Sequence, residues 1–203
     1  TTPDILPNRY RQLADIIRFY KPECILESGA WNGGRAIEMA LSAFKYKDKV
    51  HYIGFDLFED ATTETDHVEF NVKPHNTLEA VRNRFEEFTK HIKDKDNKTF
   101  TFELYKGNVR ETLDRMLKTE AISDVDFALM GSGNSRETVE AEYKVLKHVP
   151  VVVADHYFTT DDDEGLPPEK YQGVKHVFDA VATKKVDAQE TTKDGWTNFD
   201  EST

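Results

Sequence analysis

The sequence predicts an α/β domain with a mostly parallel, doubly wound sheet and helices on both faces. Three observations carry this. Apolar runs of strand length alternate five times with stretches of helical periodicity. Glycine turns follow two of those runs, at Gly29–Gly34 and Gly131–Gly133. Near the end, Asp194-Gly195 joins two further β-like runs, Lys185–Glu190 and Trp196–Phe199, as a hairpin. In such sheets ligands bind outside the carboxyl ends of the strands, where strand order switches.

Residues 8–20 carry Tyr10, Leu13, Ile16, Ile17 and Tyr20 at helical spacing, and Pro22 stops the helix. Cys24-Ile25-Leu26 is a short buried strand. After it, Gly29, Gly33 and Gly34 turn the chain into a helix marked by Ala36, Ile37, Met39, Ala40, Leu41 and Phe44. This strand–turn–helix presents free backbone N–H groups to a ligand, although an ordinary βα turn explains the glycines equally well. Val50–Leu57 is the second strand and holds Asp56 near its end. Residues 58–75 are acidic with little periodicity, as expected of a functional loop or lid.

Asn76 is the expected cap of a helix running to about His91, with Leu78, Val81, Phe85 and Phe88 inward and a polar turn over Lys93–Lys98. Thr99–Tyr105 alternates, predicting a strand with one covered face, and Gly107-Asn108 ends it. A short helix over Val109–Leu117, a strand over Val125–Met130 and a helix over Glu137–Lys147 follow. Val149–Ala154 is nearly continuous valine, the pattern of a strand buried on both faces. Asp155-His156-Tyr157 lies at its end. Residues 159–170 form a second candidate lid, and Tyr171–Ala182 the last helix.

The chain of 203 residues is expected to be a single domain over 1–203. Its net charge of −11 opposes broad nucleic-acid binding and anionic membrane surfaces. The single Cys24 excludes an internal disulfide and a multi-cysteine metal site, and its place in a strand marks a buried, inert thiol. The longest apolar run, Val149–Ala154, is too short to cross a bilayer. No signal peptide is visible, so the expected compartment is the cytoplasm. By geometry the candidates for a site are Glu27–Gly34, Asp56, Gly107-Asn108, Gly131–Ser135 and Asp155–Tyr157.

Three segments, in this order, resemble the class I S-adenosylmethionine-dependent methyltransferases, in particular the small branch related to macrocin- and cephalosporin-type O-methyltransferases. Ile25-Leu26-Glu27-Ser28-Gly29-Ala30-Trp31-Asn32-Gly33 resembles the first motif, E-x-G-x-x-x-G after a strand. Tyr52-Ile53-Gly54-Phe55-Asp56 resembles the second strand ending in an acid. Phe127–Ser135 with Asp155-His156-Tyr157 resembles the I-D-G-x-H-S and D-D-Y segments. The resemblance implies a Rossmann-like, seven-stranded sheet whose last strand is antiparallel, supplied by the terminal hairpin.

It further implies S-adenosyl-L-methionine as cofactor, with Glu27, Gly29, Ala30, Trp31 and Gly33 forming the cofactor loop and Gly29 and Gly33 leaving room for the methionine part. Asp56 takes the ribose hydroxyls. Asn108 stands at the adenine, although a turn role beside Gly107 accounts for it as well. Gly131 belongs to the cofactor site. It also falls where metal-using relatives carry an aspartate, and Asn134 where they often carry a histidine. With Asp155 the one remaining candidate ligand, dependence on a divalent metal is not expected. His156, with Asp155, is then the catalytic candidate as general base, against the plainer reading of a half-exposed loop histidine. The acidic run Asp161–Glu164 reads as a solvated loop. The implied activity is methyl transfer to a small-molecule acceptor, most often an oxygen, and the sequence is compatible with a homo-oligomer. The alternatives are a catalytically impaired S-adenosylmethionine-binding protein of the same fold and an NAD-dependent dehydrogenase, whose G-x-G-x-x-G is absent.

Overall fold

The computed structural model describes residues 8–118, 123–155, 157 and 169–181. Helix α1 (Asn8–Tyr20) leads into β1 (Cys24–Ser28), α2 (Gly34–Ala43) and β2 (Lys49–Asp56). A short 3-10 turn (Phe58–Asp60), α3 (Thr63–Val68) and α4 (Leu78–Asp96) precede β3 (Thr99–Lys106). Then come α5 (Val109–Lys118), β4 (Phe127–Met130), α6 (Arg136–Leu146), β5 (Val151–Ala154) and α7 (Glu169–Asp179).

The strands form one sheet in the order β3-β2-β1-β4-β5, all parallel, so strand order reverses between β1 and β4. Side chains alternate across a strand, and this sends β1 into two cores. Ile25 joins Tyr52, Phe85, Phe100 and Phe127 under α1, α2 and α4. Leu26 joins Ile53, Phe55, Ala128 and Met130 under α5, α6 and α7. The helices therefore cover both faces, and the carboxyl ends of the strands open at the β1/β4 switch.

The sheet has five parallel strands among the described residues, where seven with an antiparallel last strand were expected. The hairpin of 185–190 and 196–199 lies outside the described residues. Strand β5 sends Val151 and Val153 to one core and Val152 and Ala154 to the other, so both faces are covered, but all four are only partly buried because among the described residues only β4 flanks it. Thr77, not Asn76, caps α4: its hydroxyl accepts from the Ala80 N–H at 3.1 Å. That helix also continues through the expected polar turn to Asp96, where Asn97 ends it in the left-handed conformation (φ 53°). Residues 58–75 hold two short helical turns, and α3 is fixed by a capping box between Thr62 and Thr65.

Candidate active site

The turn after β1 is tied to β2. The N–H groups of Gly29 and Ala30 both donate to the Phe55 carbonyl, at 2.8 and 3.1 Å. The Trp31 N–H donates to Asp56 Oδ2 at 2.8 Å, and the Phe58 N–H to Oδ1 at 2.9 Å. Asp56 is thus a carboxylate locked in place, with a lone pair left on each oxygen. It faces a cavity of about 380 Å³ over the carboxyl ends of the strands. Gly29, Ala30, Trp31, Gly131 and Asp155 line the same cavity, as does Asn108. The Asn108 side chain meanwhile accepts from the Arg110 N–H at 3.0 Å, so one residue both caps α5 and meets the cavity.

Two residues of the expected cofactor loop do other work. Gly33 has a φ of 77°, and a Cβ there would stand 2.5 Å from the Phe85 ring, so α4 packing requires this glycine. It is not among the residues lining the cavity. Glu27 does not line it either: its side chain is fully buried. One oxygen accepts from Arg35 Nε at 2.5 Å, the other from the Tyr52 hydroxyl at 2.6 Å. Burial, and then the Glu27 charge, hold the Tyr52 hydroxyl far above its ordinary value. Gly29 makes a close approach of a different kind from the one expected: with φ 86°, its Cβ would lie 2.6 Å from the Gly131 carbonyl oxygen, so the glycine lets the β1 and β4 turns touch.

Arg35 is the residue that sequence reasoning missed. Its Nη1 donates to Asp155 at 3.0 Å and its Nη2 to the Gly29 carbonyl at 3.3 Å. Burial works against its charge, but Glu27 and then Asp155 more than offset this and keep the guanidinium protonated. A Cβ on Gly131 would lie 2.8 Å from Arg35 Nη2, so the guanidinium fills the space a side chain at 131 would need. Among the described residues no group of three His, Cys, Asp or Glu side chains gathers to hold a metal ion. The carboxylate of Asp155 faces a cation instead, so the described donor set does not fit a divalent metal. His156 lies outside the described residues, as does the acidic run 161–164 and most of the second candidate lid.

The first candidate lid walls the cavity through Glu64, Asp66, Glu69, Asn71 and His75. It is fastened at two points in its second half. The Trp31 indole N–H donates to the Pro74 carbonyl at 2.8 Å. Glu69 accepts from the backbone N–H groups of Asn134 and Ser135, at 2.7 and 2.8 Å, at the start of α6, where a carboxylate suits the helix end. No local pattern in the sequence marks Glu69, because its partners lie on a distant turn.

Among solved structures, the chain is similar to the calicheamicin methyltransferase CalS11, with a TM-score of 0.55 and 20% identity over 85% of this chain and 66% of that one. It is also similar to an O-methyltransferase from Bacillus cereus in complex with S-adenosylhomocysteine (TM-score 0.55, 13% identity, 89% of this chain, 71% of that one). A third is TomG from Streptomyces achromogenes, an O-methyltransferase involved in tomaymycin synthesis and solved with S-adenosylmethionine (TM-score 0.54, 17% identity, 87% of this chain, 68% of that one). No family model and no curated protein matches the chain. The chain spans 66% of the length of the first of these structures. What this chain shares with them is their fold, the Rossmann-like sheet of the class I O-methyltransferases.

Proposed function

We propose that the protein transfers a methyl group from S-adenosylmethionine to an oxygen of a small molecule. The observation that carries this is Asp56: a carboxylate locked by two backbone N–H groups at the end of β2, facing a cavity beside the glycine turn. The cavity is of the size that small-molecule sites have. The bound cofactor supplies an electrophilic methyl group on a sulfonium. Asp56 accepts from the ribose hydroxyls with its free lone pairs. Gly29 and Ala30 line the stretch of cavity along which the methionine arm runs. Asn108 stands at the adenine end, on the far side of Asp56 from β1.

Across the sheet, Gly131 and Asp155 mark the acceptor end. The next residue, His156, is the base in this reading, with Arg35 holding Asp155 in place. No step runs through a divalent metal, because the guanidinium already fills that place. The finer form of the fold, a seven-stranded sheet closed by an antiparallel strand, is supported by the hairpin pattern of 185–199. The acidic net charge favours a small-molecule acceptor over nucleic acid or a membrane. Calorimetry tests the reading: S-adenosylmethionine and S-adenosylhomocysteine bind and NAD does not. Tight binding of NAD alone would overturn it.

A further inference from the structure

Beneath the β4–α6 turn lies a charged group that the proposed chemistry does not use. Glu142 of α6 is 1% exposed. One of its oxygens accepts from the Ser132 hydroxyl. The other, Oε2, is buried and has no hydrogen-bond partner among the described residues. Ser132 lines the cavity next to Gly131, so Glu142 sits one hydroxyl away from it. A buried carboxylate with an orphan oxygen and no ion pair is costly, and such groups in folded proteins call for an explanation.

Among the described residues the surroundings supply no counter-charge. From β1 the Ser28 hydroxyl bears on Glu142, and from the lid Glu69 adds a like charge. Helix α5 brings Arg110, but it donates to Thr138 and stands 3.7 Å from Glu69. Helix α7 brings His176, which pairs with Glu140. Burial pushes the Glu142 carboxyl up to about 7, against the two serine hydroxyls that pull it down.

The cofactor's path passes this group. Asp56 ends β2, and Gly131 and Ser132 follow β4, two strand spacings or about 10 Å away. A nucleoside held at Asp56 by its ribose runs its amino-acid arm past Gly29, where the two turns touch. A Cβ there would stand 2.6 Å from the Gly131 oxygen and 2.9 Å from the Ser132 Cα. The sulfur of a cofactor held this way would lie along that line. We propose that Glu142, reached through the Ser132 hydroxyl, is a buried counter-charge for the sulfonium, so that the protein takes up the charged cofactor with loss of a proton and the neutral thioether product without it. This rests on the methyl-transfer reading.

The sign follows from linkage. A nearby positive charge favours the ionised carboxyl, so cofactor binding expels protons from Glu142 and tightens as pH rises, while product binding does neither. A carboxyl near 7 is partly protonated at neutral pH, so a fraction of a proton leaves per S-adenosylmethionine bound. The experiment is calorimetry with S-adenosylmethionine and S-adenosylhomocysteine in two buffers of different ionisation enthalpy. S-adenosylmethionine is expected to release a measurable fraction of a proton more than S-adenosylhomocysteine near pH 7. Their affinity ratio is expected to shift several-fold toward the cofactor between pH 6 and pH 8. Glu142→Gln is expected to abolish both differences. Ser132→Ala, which removes a bond that favours the ionised form, moves the release to higher pH and serves if Glu142→Gln does not fold. Equal proton release by the two compounds, or a difference that persists in folded Glu142→Gln, overturns the inference alone. Failure of both compounds to bind removes the methyl-transfer reading, and this inference with it.

Discussion

Glu27→Ala separates a structural role from a ligand role. The Glu27 carboxylate is fully buried between Arg35 and Tyr52, so truncation leaves a buried hydroxyl without its acceptor and a guanidinium with one of its two carboxylates. Removing one partner of a buried pair costs about 3–5 kcal/mol. For a chain of this length each kcal/mol moves Tm by about 2–4 °C, so the expected drop is about 6–20 °C. Glu27→Gln keeps an acceptor for Tyr52 and fills the same space, losing the charge and the bond from Arg35 Nε, so its drop is smaller. Thermal unfolding followed by circular dichroism reads both, and calorimetry with S-adenosylhomocysteine reads the site. The loss of affinity in Glu27→Ala should follow the loss of stability and should be smaller in Glu27→Gln. A Glu27→Ala variant with Tm within about 2 °C of the parent and affinity reduced more than tenfold would refute this, since it would put the carboxylate on the ligand.

Asp56→Ala, in a folded protein, should weaken S-adenosylhomocysteine by about 1.5–3 kcal/mol, or about 10–150-fold, and unchanged affinity in calorimetry removes its ribose role. Gly29→Ala should destabilise by about 2–4 kcal/mol in urea unfolding, because a left-handed backbone and an overlap with fixed backbone atoms add. A fully stable variant would show that the β1 and β4 turns are not in contact. Magnesium or a chelator should change neither Tm nor S-adenosylhomocysteine affinity, and a magnesium-dependent gain that Asp155→Asn abolishes would reveal a metal site. Once an acceptor is found, His156→Ala should lower the catalytic rate far more than it weakens cofactor binding, and an active variant would leave the base elsewhere.

The sheet was legible because strand burial leaves a periodic trace. The run Cys24–Leu26 feeds two cores by simple alternation, and the acid at Asp56 ends a strand whose partners are also parallel. Residues 58–75 were not legible as structure. Helix α3 is only six residues long, and Glu69 fastens the segment to Asn134 and Ser135, contacts that span about 65 positions of sequence. Glu27 shows what a motif leaves out. It marks a position, not a direction, and the period of the strand turns Glu27 to the face of Ile25 and Tyr52 rather than to the open edge. Arg35 had a faint signal, a cation in the first turn of a helix, where the dipole disfavours it. Its compensation comes from Glu27 and from Asp155, which is 120 positions away.

Gly131 and Arg35 form one feature rather than two. A side chain at 131 would run into the guanidinium, so the glycine is what allows Arg35 to lie there. Lying there, Arg35 reaches Glu27 on β1, the Gly29 carbonyl of the first turn and Asp155 after β5. It thereby joins three parts of the open edge that the strands alone leave independent. The same placement sets the electrostatics: one cation between two carboxylates leaves a net negative charge with its nearest oxygens already engaged. A second, divalent cation would have to displace the first against direct repulsion. A ligand whose positive charge sits farther along, toward Ser132, lies farther from the guanidinium and nearer the Glu142 carboxyl below it. Glycine at 131 and the fixed cation at 35 are therefore one arrangement.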